Sequence, residues 1–600
     1  MFPKKSDPNE KVAALKSPEE IRQQLEDHIM TLQSVGASKY ARSVKAAVAK
    51  WEKDLNIITD TIDCWMLTQK KWMYLESIFS GEDIKQQLPD QARKFTKIDG
   101  KWSTIMSSVE KNKNVRFQCC QADGAGRLGD LQTVGNQLDA LQKSLTTYLD
   151  SKKMAFPRFY SLSEEDLLQI LGSSRTETIQ KYLLKLFDAC KSLSFGPGGK
   201  TIESMNSDEG ETYGFVMPVK PEGNVEEWMG RVDDEMKRTL HYMIKESVFF
   251  YARENRIEWI RKQLGMIAII GTQIWWTYSV EDVFKRVAED KHAMKNELAK
   301  ETDDINTLIA LIRTDIETNL RRSINCLIIL DVHQRDIVDA FVRDSKLSAK
   351  EFAWESQLRF YWDLGTDDIL IRQCTGILEY CYEYMGLNTR LVITPLTDRC
   401  IMTLTTALTF NLGGAPAGPA GTGKTETVRD LAKALALRCL VTCCGETLDY
   451  VALGMNFSGL IQTGFWGCFD EFNRINREVL SVVSAQIKTV QNGLVKKSKI
   501  INFMEQDIPL IPSIGIFITM NPGYAGRSEL PDNLKALFRP VTMCAPGLVM
   551  ICENMLMSEG FNTAKVLAKK MVTLYRLSKE QLSSQYHYEF GLRPIKSVLV

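Results

Sequence analysis

Gly418-Pro-Ala-Gly-Thr-Gly-Lys-Thr425 decides how the rest of the chain is read. It meets every fixed position of the phosphate-binding pattern G-x-x-x-x-G-K-[ST]. A glycine-rich turn brings successive backbone N–H groups within reach of phosphate oxygens, and the helix it opens adds its positive N-terminal end. On this reading Gly418, Pro419, Ala420, Gly421, Thr422 and Gly423 form the cradle. Lys424 reaches the β and γ phosphates of ATP, and Thr425 offers its hydroxyl to Mg²⁺, an ion that takes few protein oxygens and completes its shell with phosphate and water. Glu426 then starts a helix running to Leu437, with Val428, Leu431, Ala432 and Leu435 at helical spacing. A glycine-rich turn before an ordinary helix would not need the whole pattern.

Around this anchor lies a chain of 600 residues, too many for one core and enough for about three to five domain-sized units. It is 44% hydrophobic and 25% charged, with formal net charge zero, a folded-protein composition that argues against a nucleic-acid binder driven by bulk electrostatics. The fourteen cysteines include no C-x-x-C; the adjacent pairs Cys119-Cys120 and Cys443-Cys444 suit neither a zinc site nor a disulfide framework, so reduced thiols in a cytosolic compartment are expected. Met1-Phe-Pro-Lys-Lys5 lacks the apolar core of a signal peptide. The most apolar stretch, Leu264 to Trp276, is too short to span a bilayer and reads as a buried strand or helix.

The first two-thirds of the chain reads as helices packed on one another. Ser17-Pro18-Glu19-Glu20 is a helix start with a hydroxyl cap, after which Ile21, Leu25, Ile29 and Leu32 share a face. Trp51, Leu55, Ile58, Ile62 and Trp65 mark a second helix, and Leu131, Val134, Leu138, Leu141, Leu145 and Leu149 a third. Because the heptads are not sustained, these stripes point to a bundle packing on itself rather than to a coiled coil. Ser163 caps a helix over 164–171. Between Phe195 and Gly223, turn residues and the β-prone run Tyr213 to Val219 predict loops and short strands and a hinge. Helices return over 225–256 and 288–330, with the stripe Ile305, Ile309, Ile312 and Ile316. Ser348 and Glu351 predict a further helix over 349–362, apolar on several sides and buried between domains.

Past Leu391 the pattern becomes α/β. Arg390 to Leu396 is a short β-branched run, followed by a helix over 398–408, and Cys439 to Cys444 reads as a buried strand. Thr463 to Glu471 is an apolar strand ending in two acids, where ligands bind in parallel sheets. There Asp470 can hold hydrated Mg²⁺, and Glu471 can polarise an attacking water. A strand from Ile514 to Met520 ends at Asn521, whose amide can bridge the γ phosphate or that water. Arg539 at a helix end and Arg593 at a helix start are candidates for stabilising the transferring phosphoryl group.

Gly414-Ala-Pro-Ala-Gly-Pro-Ala-Gly-Thr-Gly-Lys-Thr-Glu426, Cys468-Phe-Asp-Glu-Phe-Asn-Arg474, Met520-Asn-Pro-Gly-Tyr-Ala-Gly-Arg527 and Phe590-Gly-Leu-Arg593 resemble the first AAA+ module of dynein heavy chains. Upstream, Trp72-Met-Tyr-Leu-Glu-Ser-Ile-Phe79, Pro157-Arg-Phe-Tyr160 and Trp354 to Trp362 are similar to the dynein linker. The Tyr74 to Phe79 and Gln86 to Asp90 stretches look more axonemal than cytoplasmic. The resemblance implies a mainly α-helical linker over 1–375, with the hinge near 195–223, an α/β P-loop NTPase subdomain with a parallel sheet over 376–545, and the start of a small helical subdomain over 546–600. It also implies Lys424, Thr425 and Glu426 in the nucleotide loop, Asp470 and Glu471 as the acidic pair, and Asn521 and Arg593 as the two sensors. Arg539 matches the arginine finger, which serves a neighbouring module. Two departures stand out: Phe465 replaces a small residue, and Val451 a lysine.

The activity this resemblance implies is ATP hydrolysis coupled to linker movement and minus-end-directed microtubule motility, with ciliary or flagellar beating if axonemal. The partners implied are further AAA+ modules, intermediate, light intermediate and light chains and microtubules, reached through regions outside this stretch, with no nucleic acid and no membrane. The location implied is the cytoplasm and cytoskeleton, at the cilium or flagellum axoneme. The chain reads as a fragment or truncated product, expected to bind nucleotide but turn it over slowly without a neighbour's arginine. Two alternatives stay open: another AAA+ remodelling ATPase, which has no reason to carry a long helical lead, and a nucleotide-binding scaffold, for which Glu471 has no use.

Overall fold

The computed structural model describes residues 2–3, 11–12, 14–79, 85, 88–120, 126–172, 178–287, 289–345, 348–387, 389–521, 529–583, 585 and 587–599. The chain divides into two compact units, one of residues 1–155 and 162–179, the other of 156–161 and 180–600.

The first unit is helical. Its longest helices are Lys45–Phe79, Pro89–Lys111 and Gly126–Ala155, and of the stripe expected on the first of them Ile58 and Trp65 are buried. Leu131, Val134, Leu138, Leu141, Leu145 and Leu149 are all buried. Trp72 stacks on Trp102 and Phe79 on Phe95, at centroid distances of 5.5 and 5.4 Å. The helix Glu19–Ala37 begins without a side-chain cap, so Ser17 does not play the role its sequence position suggests. Only Leu25 of its stripe is buried, and Trp51 on the next helix stays exposed.

In the second unit, residues 190–219 fold as a three-stranded antiparallel sheet of short strands joined by turns, and the β-prone run Tyr213 to Val219 lies within its third strand, Thr212–Val219. Long helices come next: Val225–Tyr251, Gly265–Arg286, Ala293–Ile312 and Thr318–Arg343. The apolar stretch Leu264 to Trp276 belongs to the second of these. The helix expected over 349–362 is not formed. A single turn, Phe352–Glu355, buries Trp354 among Trp276, Phe284 and Phe341, and the chain then becomes the strand Arg359–Asp363. Aromatic residues favour a pleated, half-buried surface, and the Phe360 N–H finds an acceptor in the Thr277 hydroxyl at 3.2 Å. The many-sided aromatic pattern is thus two elements read as one.

The α/β part is built on five parallel strands: β1 (Gly413–Ala417), β2 (Cys439–Cys443), β3 (Trp466–Asp470), β4 (Gly515–Ile518) and β5 (Phe538–Thr542). Their order is β2-β3-β4-β1-β5. Helices Tyr450–Thr463 and Arg477–Val495 contribute Phe457, Leu460, Leu480, Val483 and Ile487 to one apolar core with Phe469, Ile516 and Ile518 of the strands. The apolar sequence of β2 predicts a buried strand, but β2 is outermost, and Val441 is 40% exposed. Arg539 lies exposed on β5, the other edge, rather than at a helix end. The run over 390–394 forms no strand; Thr394 instead caps the helix Pro395–Thr409 in a reciprocal capping box.

Candidate active site

β1 delivers the phosphate-loop residues to the middle of the sheet. The Gly418 N–H donates to the Met520 carbonyl at 3.2 Å, tying the loop to the chain leaving β4. A Cβ on Gly418 would stand 2.2 Å from the Met543 carbonyl oxygen, so backbone on both sides demands glycine here. Gly421 and Gly423 have φ of 76° and 82°, and open space lies where their Cβ atoms would be. The helix Lys424–Ala434 starts directly from this turn. Thr422 and Thr427 fold their hydroxyls onto the carbonyls of Pro419 and Gly423 at 3.0 and 2.9 Å. Lys424 is 7% exposed, and its amine donates to the Gly418 and Pro419 carbonyls at 2.9 and 2.7 Å. Pro419, Ala420 and Glu426 are exposed, and Glu426 pairs with Arg429 at 3.3 Å.

β3 brings the acids to the same end of the sheet. The Thr425 hydroxyl donates to Asp470 Oδ1 at 3.2 Å, and the Thr519 hydroxyl donates to the same oxygen. Glu471 comes next, in the left-handed region at φ 54° and ψ 40°, a conformation costing about 1 to 2 kcal/mol in an L-residue. This turn re-aims the second carboxylate away from the strand. Its Oε2 lies 2.8 Å from Arg474 Nε, and its Oε1 accepts from Asn521 Nδ2 at 3.3 Å. The Asn473 amide in turn donates to the Asn521 carbonyl at 3.3 Å.

The expected residues Lys424, Thr425, Asp470, Glu471 and Asn521 therefore gather at the carboxyl ends of β1, β3 and β4. Arg593 sits exposed in the first turn of the helix Leu592–Leu599, and among the described residues its side chain has no hydrogen bond or ion pair. Pro522 to Arg527 lie outside the described residues, as do Gln86 and Gln87. Phe465 is buried, with the guanidinium groups of Arg158 and Arg438 at 4.8 and 5.8 Å from its ring centre, while Val451 is exposed. Two neighbours of the acids, Arg474 and Thr519, escape a reading of the sequence. Arg474 carries a signal, since it stands three residues after Glu471 in a turn; nothing local marks Thr519.

The residues also fit ATP and Mg²⁺ on chemical grounds. A concave glycine loop with a buried lysine suits a polyphosphate, and a hydroxyl beside one carboxylate suits an ion that keeps most of its shell for phosphate and water. Comparison with known proteins agrees on the nucleotide. Residues 380–600 match the family described as the hydrolytic ATP binding site of dynein motor region, and residues 2–247 match dynein heavy chain, N-terminal region 2. The chain belongs to the dynein heavy chain family. It is 57% identical over 595 residues to the Dynein-1-alpha heavy chain of the flagellar inner arm I1 complex of Chlamydomonas reinhardtii, covering 99% of this chain. Identity is 53% with human Dynein axonemal heavy chain 10, over 98% of this chain, and 44% with the ciliary dynein beta chain of Heliocidaris crassispina, also over 98%. The chain spans 13% of the length of each of these dynein relatives. The dynein ATP-binding region thus coincides with the sheet and loop described above, and the dynein N-terminal region 2 covers the first unit and the start of the second.

Proposed function

We propose that this stretch is the ATP-hydrolysing part of an axonemal dynein heavy chain, driving linker movement and, in the whole protein, minus-end-directed microtubule motility in the cilium or flagellum. The carrying observation is a carboxylate, Glu471, held off the strand end in a left-handed turn beside Asp470 and within reach of Asn521. A binding-only site has no use for that group. The domain reading that goes with it is a linker over 1–375, a large α/β subdomain over 376–545 and a small helical subdomain over 546–600. Further AAA+ modules of the heavy chain, its associated intermediate, light intermediate and light chains, and microtubules are the partners this reading implies.

Lys424 neutralises the β and γ phosphates, and the loop N–H groups orient them. Mg²⁺, when bound through Thr425 and Asp470, would offset charge on the phosphate oxygens. Glu471 accepts a proton from the attacking water, and the Asn521 amide fixes the direction of that carboxylate. Arg593 is assigned to the phosphates on the strength of the resemblance. Arg539, exposed on the edge strand β5, is assigned to a neighbouring module's site. Glu471→Gln keeps shape and hydrogen-bonding reach but removes the base, so ATP stays bound while hydrolysis falls by about 10²-fold or more. Unchanged turnover in a motor preparation carrying this substitution would take the role of base away from Glu471.

A further inference from the structure

Thr519 is fully buried, directly after β4, and every polar atom it has faces the acidic turn. Its N–H donates to the Phe469 carbonyl at 2.9 Å, and its carbonyl accepts from the Phe472 N–H at 3.1 Å. Its hydroxyl donates to Asp470 Oδ1 and accepts from the Glu471 N–H at 3.3 Å. One residue therefore holds four consecutive residues, 469 to 472, and its single hydroxyl serves both acids at once.

The chemistry of that hydroxyl assigns it a task distinct from packing. A carboxylate that receives a hydrogen bond on one oxygen from a fixed donor cannot rotate freely, so the Thr519 hydroxyl sets which lone pairs of Asp470 face Thr425. The same oxygen is the acceptor for the amide of Glu471, a residue whose left-handed backbone needs outside support to persist. We infer that Thr519 is a positioning residue for the ATPase reaction, its hydroxyl setting the Asp470 carboxylate for the divalent ion and the Glu471 backbone for the attacking water. This rests on the ATPase reading above and adds a residue to it. The motif offers no hint, because Thr519 neither faces the loop nor stands within the acidic pair.

The test compares Thr519→Val, which keeps volume and loses the hydroxyl, with Thr519→Ser, which keeps the hydroxyl and loses a methyl group. Both are made in the full heavy chain. Binding of a fluorescent ATP analogue is measured in EDTA and with Mg²⁺, and Mn²⁺ binding is followed by electron paramagnetic resonance. Thr519→Val is expected to match the parent in EDTA, to lose about tenfold in the metal-dependent gain in affinity, to bind Mn²⁺ correspondingly weakly, and to lose at least tenfold in kcat. Thr519→Ser is expected to restore metal binding and most of the turnover. Parental Mn²⁺ affinity and kcat in Thr519→Val overturn the inference, and so does a Thr519→Ser variant as impaired as Thr519→Val, which would make the methyl group the part that matters. A parent chain that fails to bind the analogue at all refutes the ATPase reading instead.

Discussion

Lys424 and Arg474 carry opposite expectations. The Lys424 amine is buried and held by two backbone carbonyls of its own loop, so Lys424→Ala removes the cation proposed for the phosphates without disturbing the sheet. Binding of labelled ATP is expected to be abolished while the melting temperature stays within a few degrees of the parent; tight binding by the variant would contradict the site. Arg474 is half-exposed and pairs with the Glu471 carboxylate at 2.8 Å. Solvent screening limits such a pair to about 1 kcal/mol or less. The pair holds the Glu471 carboxylate towards Arg474, so Arg474→Ala, which frees it to turn to water, is expected to raise basal turnover by up to about fivefold, the rate equivalent of that energy. Basal ATPase measured without microtubules checks this, and a fall in rate would instead make Arg474 an aid to catalysis.

Helices Gly265–Arg286, Ala293–Ile312 and Thr318–Arg343 border an open pocket of about 100 Å³ whose lining includes Trp276, Arg256, Glu297, Glu301 and Asp331. Glu301 accepts from the Trp276 indole N–H at 2.9 Å. Burial, and after it the charge on Glu297, push the Glu301 carboxyl up to about 8. Its folded-state pKa lies above that of the unfolded chain, so the folded state retains this proton where the unfolded chain has lost it. Stability contributed by the protonated form is complete below pH ~4.5 and is lost as pH rises towards 8. The loss is on the order of 5 kcal/mol, at about 1.4 kcal/mol for each tenfold change in proton affinity. Glu301→Gln keeps a hydrogen-bonding group without the charge, and is expected to flatten the fall in unfolding free energy between pH 5 and 8; a denaturation series across that range reads it directly. The hairpin of strands Ile500–Phe503 and Gln506–Pro509 is a second element that sequence reading missed. Its two-residue turn, Met504-Glu505, has φ of 49° and 64°, the primed geometry usually signalled by Asn-Gly. A Cβ on Gly454 would stand 2.3 Å from the Met504 sulfur, so a glycine far away in sequence makes room for the turn.

Across the whole molecule, residues 156–161 belong to the second unit although the residues on both sides belong to the first. Arg158 is 3% exposed and holds Glu383 through both guanidinium amines, at 2.8 and 2.6 Å, and Asp233 at 2.6 Å. The Tyr160 hydroxyl accepts from Gln462 Nε2 at 3.2 Å, and a Cβ on Gly459 would stand 2.6 Å from the Tyr160 Cβ. Gly459 and Gln462 lie on the helix Tyr450–Thr463, which leads into β3 and its acids. Gly459→Ala is therefore expected to displace the 156–161 segment, costing about 1 to 3 kcal/mol of stability by overpacking. Faster amide exchange over 156–161 and 450–463 together would report it, whereas unchanged exchange would show that Tyr160 adjusts without cost.

The phosphate loop, the acids after β3 and Asn521 after β4 were legible because their requirements are local. Glycines, a lysine and a hydroxyl at fixed spacing, and apolar runs ending in polar groups, leave a pattern within a few residues. The leucine stripe from Leu131 to Leu149 was legible for the same reason, being a helical period carried by a single helix. Strand order is different, since it depends on which runs find each other across the chain. β2 has an apolar sequence and still lies at the edge, because the neighbour on one side only is supplied by β3. Arg158 and Glu383 are separated by 225 positions, and Thr519 meets Asp470 only because β4 lies beside β3. Burial of a charge and aim of a hydroxyl are properties of packing between distant segments, and no periodicity along the chain encodes them.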